Sequence, residues 1–281
     1  MSTLYIVATP IGNLQDITLR ALDVLKSVSC ILCEDTRHSA KLLNAYGIAT
    51  RMLAYHEHNG EKMRPLILEK LARGESLALI SDAGTPLISD PGYKLVKEVR
   101  AAGYKVVPIP GVCAAITALC AAGMPTDQFH FCGFLPAKSS GRKEKLSALR
   151  HTEGTLVFYE SPRRVTAFLT DAIAVFGGER PATLARELTK TYETFHSGTL
   201  AALLQETQQR EPLKGEYVIL IAPQEAASPS QEQDIPALLT HALQQYGVKD
   251  AAAMVAAATG RPKREIYQLA LELNTTPQRR E

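Results

Sequence analysis

Along the first 121 positions apolar residues recur in short runs, at 4–9, 30–34, 52–55, 77–80 and 105–109, separated by stretches of helical periodicity. Runs this short, bounded by Gly, Pro, Asp and Ser, predict strands, and apolar spacings of three and four predict helices between them. Ile17, Ala21, Leu22, Leu25 and Val28, for example, fall on one helical face behind Asp16. Strands that are apolar throughout and alternate with helices predict a mostly parallel sheet covered on both sides.

Gly123-Met124-Pro125-Thr126-Asp127 interrupts that rhythm. Residues 122–223 read as a second αβ lobe, with strands near 129–134, 155–160, 181–186 and 216–222. Tyr192 to Gly198 is rich in β-formers and predicts a hairpin or antiparallel strand, so the second sheet is expected to be mixed. Residues 224–234 are polar, contain proline and lack periodicity, which is the composition of a linker.

The tail, 235–281, is helical. Leu238, Leu239, Ala242, Leu243 and Tyr246 share one face, and Gly247 stops that helix. Val255 and Ala256 sit in a second helix; Pro262 opens a third that carries Ile266, Leu269, Ala270 and Leu273. The last two, joined by a four-residue turn and with Lys263-Arg264 at the start of the final one, suggest a helix-turn-helix. A three-helix cap or a dimerisation element fits the same pattern.

Composition narrows the class. A chain of 281 residues has room for about two domains, and 46% hydrophobic with 21% charged residues is ordinary for a globular protein. The net charge of +2 argues neither for nor against nucleic acid, so local clusters decide. With no basic leader before the first strand and no apolar run approaching ~18 residues, the expectation is a cytoplasmic protein with no membrane partner. The five cysteines are an odd number, which suits reduced thiols. Cys30 and Cys33, three apart on a strand, are expected on opposite faces as small core residues.

Chemistry concentrates where the strands end. The segment Ser81-Asp82-Ala83-Gly84-Thr85-Pro86 closes an apolar strand and precedes a helix that starts after Pro91. In open α/β sheets ligands bind at such edges. The segment is neither a phosphate-binding loop nor a dinucleotide turn. Comparable loops follow the other strands: Thr9 to Asn13, Glu34 to His38, Pro110 to Cys113, Glu160 to Arg164 and Arg186 to Lys190. Together they point to one site shared by the two lobes. His56 and His58, facing one way on a strand near Glu34, Asp35 and His38, lack zinc spacing, so no metal site is assigned. Ser140 to Lys143 matches S-x-x-K only trivially, inside a basic run rather than at a strand end. That run holds Lys138, Arg142, Lys143, Lys145 and Arg150 against one acid, Glu144. It reads either as a solvated helix face or as a patch for phosphates, with Arg163 and Arg164 adding the same sign.

Six motifs then occur in order: Thr9-Pro10-Ile11-Gly12-Asn13-Leu14, Glu34-Asp35-Thr36-Arg37, Ser81 to Pro86, Phe134-Leu135-Pro136-Ala137-Lys138, Tyr159-Glu160-Ser161 and Arg186-Glu187-Leu188-Thr189-Lys190. The chain resembles the RsmI-type 16S ribosomal RNA cytidine 2′-O-methyltransferases of the tetrapyrrole methylase superfamily. The resemblance implies an α/β protein of two lobes with S-adenosylmethionine (SAM) in the cleft between them, a helical extension, and a homodimer acting on 16S rRNA, within the small ribosomal subunit. It implies that Pro10, Asp82, Thr85, Cys113, Ala114, Tyr159, Ala185, Arg186, Tyr217 and Val218 contact SAM. The tetrapyrrole enzymes carry a glycine-rich first loop where this chain has Pro10-Ile11-Gly12-Asn13-Leu14, which favours the RNA branch.

Methyl transfer to a ribose hydroxyl needs the reacting atoms held in line and a group to accept the hydroxyl proton. Glu34, Asp35, Glu160, Glu187 and Lys190 stand at strand edges, and Glu160 and Glu187 are the expected catalytic pair. Arg37, Lys138, Arg142, Lys143, Arg163, Arg164 and Lys190 are the expected RNA contacts, with Arg186 also placed on a phosphate. A nucleic-acid-binding regulator without turnover, or a small-molecule methylase acting on a tetrapyrrole, are the alternatives.

Overall fold

The computed structural model describes residues 2–210, 212–224, 235–259 and 261–275. Contacts divide the chain into two units, Met1–Gln224 and Glu225–Glu281.

The first unit contains two five-stranded sheets. The first consists of β1 (Thr3–Val7), β2 (Cys30–Cys33), β3 (Met52–Ala54), β4 (Leu77–Leu79) and β5 (Lys105–Ile109), in the order β3-β2-β4-β1-β5. Every pairing is parallel, with Leu4 beside Leu77 and Ile6 beside Leu79. The helices that connect these strands cover both faces. On one, α1 (Leu19–Ser27) and α2 (Thr36–Ala45) bury Ala21, Leu25 and Leu43. On the other, α3 (Gly60–Ala72) and α4 (Tyr93–Ala101) bury Ile67, Leu71, Leu95 and Val99. Cys30 belongs to the second of these cores and Cys33 to the first, as strand alternation requires. Helix α1 starts later than the apolar pattern suggested: Thr18, whose hydroxyl accepts from the Ala21 amide, is its N-cap, and Asp16 ends a preceding 3₁₀ turn.

The strand order places a switch point between β1 and β4. From β1 the chain crosses over β4 to reach β2, and from β4 it crosses over β1 to reach β5. The two connections leave for opposite faces of the sheet, α1 on one and α4 on the other, and a crevice is expected at the strands' C-terminal ends there.

The second sheet has β6 (Phe129–Phe134), β7 (Thr155–Glu160), β8 (Pro181–Arg186), β9 (Thr194–Thr199) and β10 (Tyr217–Ile221), in the order β6-β7-β10-β8-β9. Only β6 and β7 pair in parallel, so the sheet is mixed, and β9 is the antiparallel strand expected near 192–198. Helices α6 (Ser139–Ala148), α7 (Val165–Phe176) and α8 (Leu200–Gln209) cover one face through Leu146, Phe168, Leu169 and Leu203. The other face is covered by α5 (Ala114–Ala121), which leaves the first sheet after β5 and buries Ala115, Ala118 and Leu119 against Val157, Ala185, Val218 and Leu220. This helix joins the two lobes into one unit.

Of the second unit, the described part is α9 (Ile235–Leu243), α10 (Val248–Thr259) and α11 (Lys263–Thr275). Leu239, Ala242, Ala251, Ala252, Val255, Ile266 and Ala270 form its core. Leu238 and Tyr246, expected on the buried face of the first helix, are exposed. Residues 260–262 separate α10 from α11, one fewer than expected. The linker assigned to 224–234 lies, apart from Gln224, outside the described residues. Among the described residues no helix is long and apolar enough to cross a membrane.

Candidate active site

The crevice at the switch point is built by backbone pairing between loops. Thr9 and Gly84 exchange two hydrogen bonds of 2.9 and 3.0 Å, which fastens the turn after β4 to the loop after β1. The Thr9 hydroxyl also donates to the Ser81 carbonyl, and Thr85 Oγ1 donates to the Val112 carbonyl at 2.8 Å, which brings in the loop after β5. Gly84 sits at φ +82, where an L side chain is strained, and a Cβ there would stand 3.3 Å from Ile11 Cγ2.

From the second sheet, Tyr159 crosses to this edge. Its hydroxyl accepts the Ala115 amide at 3.0 Å, one of the free N–H groups at the start of α5. Its ring stands edge-on to Phe131 and Phe134, with centroids 4.9 and 5.6 Å away. Burial raises the Tyr159 phenol far above the ordinary range, so the hydroxyl stays neutral. Two more approaches close the seam: the Lys190 stem lies where a Cβ on Gly12 would be, and Ser89 Oγ lies 3.2 Å from where a Cβ on Gly133 would be.

Between these walls lies a cleft of about 420 Å³. Asp82, Thr85, Cys113, Ala114, Tyr159, Tyr217 and Val218, seven of the ten residues assigned to SAM, line it. The other three do not. Ala185 is wholly buried in the core beside Val218 on the neighbouring strand, Arg186 donates to the Lys214 carbonyl and lines a separate cleft, and Pro10 is outside the lining although its neighbour Ile11 is part of it. Glu160, one of the expected catalytic acids, also lines it, together with Ser161, Pro162 and Glu216; Ile88, Ser89 and Asp90 line it too and were not assigned a role from the sequence. The size and mixed apolar and carboxylate lining fit a small organic cation.

The charged residues expected to act on RNA are placed very differently from one another. Arg142 is only 3% exposed: its Nε donates to Asp171 Oδ2 at 2.8 Å and its other nitrogens to the Ala137 and Ala167 carbonyls. It is an internal strut between α6 and α7, unavailable to a phosphate. Arg164 likewise donates to the Leu135 carbonyl at 2.6 Å and pairs with Glu160. Lys190 bridges Glu187 and Glu216, each at 2.9 Å. Lys143 lies 3.5 Å from Asp171 with about half its side chain exposed. Arg37 is paired with Asp35 at 2.9 Å but projects into solvent, and Lys138 and Arg163 are exposed.

The two expected catalytic acids are also engaged in structure. The Glu160 side chain has no exposed surface; burial pushes its carboxyl up, against the pull of the Ser161 amide and the Arg164 charge. Its Oε1 accepts from that amide at 2.8 Å. Glu187, at φ +53, accepts from Lys190 Nζ and from the Glu216 amide through one oxygen. Burial raises it, but those bonds outweigh burial and hold it below the usual carboxylate range. Asp35 caps α2 and is held down to about 2, first by the side-chain and backbone bonds from Arg37.

His56 and His58 lie in the turn after β3 rather than on a strand, their rings 6.1 Å apart. Among the described residues no group of three or more His, Cys, Asp or Glu is arranged to hold a metal ion.

Comparison with known proteins agrees with this architecture. The family model for tetrapyrrole (corrin/porphyrin) methylases matches residues 3–204, and that for the RsmI C-terminal HTH domain matches residues 229–274. The chain is 51% identical, over 96% of its length and 94% of the relative's, to the ribosomal RNA small subunit methyltransferase I of Escherichia coli O157:H7. Among solved structures it is similar to a uroporphyrin-III-C-methyltransferase from Thermus thermophilus, with TM-score 0.58, 20% identity, and 79% and 94% of the two chains covered. It is also similar to a uroporphyrin-III C-methyltransferase from that organism complexed with S-adenosylhomocysteine, with TM-score 0.54, 16% identity, and 78% and 97% covered. With its two sheets, switch-point cleft and near-complete match to these relatives, the chain belongs to the tetrapyrrole methylase family of SAM-dependent methyltransferases, in its RsmI-type branch.

Proposed function

We propose that this chain transfers a methyl group from SAM to the ribose 2′-hydroxyl of a cytidine in small-subunit (16S) ribosomal RNA. What carries the reading is the half-identity, along nearly the whole chain, to a protein named ribosomal RNA small subunit methyltransferase I. The cleft suits the donor. Asp82 offers a carboxylate to the donor's hydroxyl or ammonium groups, while Thr85, Cys113 and Ala114 present backbone and small side chains on the same wall. Tyr159, Tyr217 and Val218 supply the facing surface. Ala185, Arg186 and Pro10 act from behind, by holding the lining in place. When bound, SAM supplies an electrophilic methyl group.

The protein's own part is to align the hydroxyl, exclude water and take up its proton. Of the expected RNA contacts, Lys138, Lys143, Arg163 and Arg37 remain exposed and are the ones suited to phosphates. A homodimer acting in the cytoplasm on an assembled subunit is the setting this reading implies. Incubation with methyl-labelled SAM and small subunits lacking the modification tests it. Label in the ribose of 16S rRNA is expected; RNA binding without label would favour a regulator, and its absence from RNA overturns the reading.

A further inference from the structure

A second cleft, of about 770 Å³, opens beside the first. It is polar, and its walls come from the loop after β3 (His56, His58), from α3 (Arg64), from the start of α4 (Tyr93, Lys94) and from Glu34. Ser89 and Asp90 line both clefts and so form the wall between them. The backbone that sets this wall is unusual. Leu87 and Ser89 adopt positive φ of 73 and 66, and Gly92 follows at φ 138. Left-handed residues that are not glycine cost of order 1–3 kcal/mol each and persist where surrounding structure enforces them. Here Gly92 has no room for a Cβ, which would lie 2.9 Å from Leu79 Cδ2, so the turn is pressed onto β4.

We propose that Asp90 is the catalytic residue that accepts the proton of the ribose 2′-hydroxyl, the nucleotide entering from the second cleft and the methyl donor occupying the first. The inference rests on the methyltransferase reading. In the step, the hydroxyl oxygen forms a bond to the methyl carbon and the carbon–sulfur bond breaks, its electron pair passing to sulfur. The hydroxyl proton passes to an Asp90 carboxylate oxygen, so charge and atoms balance. A carboxylate is the right group for this only if no cation already holds it. Among the described residues Asp90 makes no ion pair, whereas Glu187 and Asp35 each hold one and Glu160 has no exposed side-chain surface.

Its surroundings also tune it. Burial, with the nearby Glu34 and Asp82 carboxylates adding to it against the pull of Ser81, raises Asp90 to about 6. A base poised near the working pH is the efficient kind. The other ionisable groups lining the two clefts are Tyr55, His56, Glu57, His58, Glu61 and Arg64 from the β3–α3 segment, Tyr93 and Lys94 from α4, Cys113 before α5, and Tyr159, Glu160, Glu216 and Tyr217 from the second-sheet side. Exposed Tyr93 is placed to stack on a base, as aromatic side chains do on unpaired nucleotides.

Asp90→Asn keeps the shape and removes the base. Three readouts test it against wild type that has been shown to label 16S rRNA. Single-turnover methyl transfer is expected to fall by about a hundredfold or more, while S-adenosylhomocysteine affinity by calorimetry stays within about threefold. The melting temperature should rise at pH 8, because a charged buried carboxylate is gone, with the gain shrinking toward pH 5. Wild type itself should show an acid limb in its single-turnover rate near pH 6. Transfer by Asp90→Asn within tenfold of wild type, loss of S-adenosylhomocysteine binding in place of turnover, or a wild-type rate flat from pH 5 to 8 would each overturn the proposal. Failure of wild type to label RNA would instead overturn the function on which it rests.

Discussion

On the second-sheet side, Glu187 holds Lys190 and the Glu216 amide, Glu160 holds Ser161 and Arg164, and Asp171 holds Arg142. On the first-sheet side, Asp82 and Asp90 reach the cleft with no cation paired to them among the described residues. Both sides are rich in acids and bases, but their burial differs. On the second-sheet side Glu160 and the Arg142–Asp171 pair are buried, and buried charges persist only when paired. On the first-sheet side Asp82 and Asp90 line the cleft and are half-buried. That combination suits chemistry; a closed ion pair suits stability.

The largest effect expected from this difference is on folding. Arg142→Met takes away the buried partner of Asp171, leaving it Ser139 and the half-exposed Lys143, and should lower stability by about 3 kcal/mol in denaturant titration. The sign of its pH dependence follows from Asp171. Burial pushes that carboxyl up, but the Ser139 hydroxyl and the bonds and charge of Arg142 outweigh burial and hold it below its ordinary value. Its contribution is therefore full above an unfolded value of about 4 and is lost as the pH falls through the lower folded value. The gap between wild type and Arg142→Met should accordingly close in acid.

Smaller effects probe the cleft itself. Gly84→Ala, forced to adopt φ +82 with Ile11 close by, should cost about 1–2 kcal/mol and weaken S-adenosylhomocysteine binding measured by calorimetry. Arg37→Gln removes an exposed pair with Asp35 and should leave the melting temperature nearly unchanged. If the guanidinium holds a phosphate, the variant should instead show a shallower salt dependence of RNA binding.

Much of this was legible in the chain. Strand runs such as 77–80 and 155–160 were readable because doubly covered strands are continuously apolar, and the linking helices because one face repeats every three to four residues. Loops at strand ends marked the cleft, since turn chemistry there is local. The partners of charged side chains were not legible. Arg142 sits in a run of lysines that looks solvated, and only the packing of α6 on α7 turns its side chain inward to Asp171, 29 residues away. Asp90 was missed for the same reason. Its Ser-Asp-Pro-Gly context reads as turn punctuation, and nothing local states that the turn is pressed between two clefts by left-handed Leu87 and Ser89. The signal available was a second carboxylate eight residues beyond Asp82, in the same strand-to-helix segment.

The contrast between the two sides is tested most directly by single-turnover methyl transfer to unmodified small subunits, measured per folded molecule for Glu187→Gln and Asp90→Asn side by side. The account predicts that Glu187→Gln stays within about threefold of wild type once its lower stability is allowed for, while Asp90→Asn loses a hundredfold or more. The reverse order, with Glu187→Gln inactive and Asp90→Asn near wild type, would contradict it.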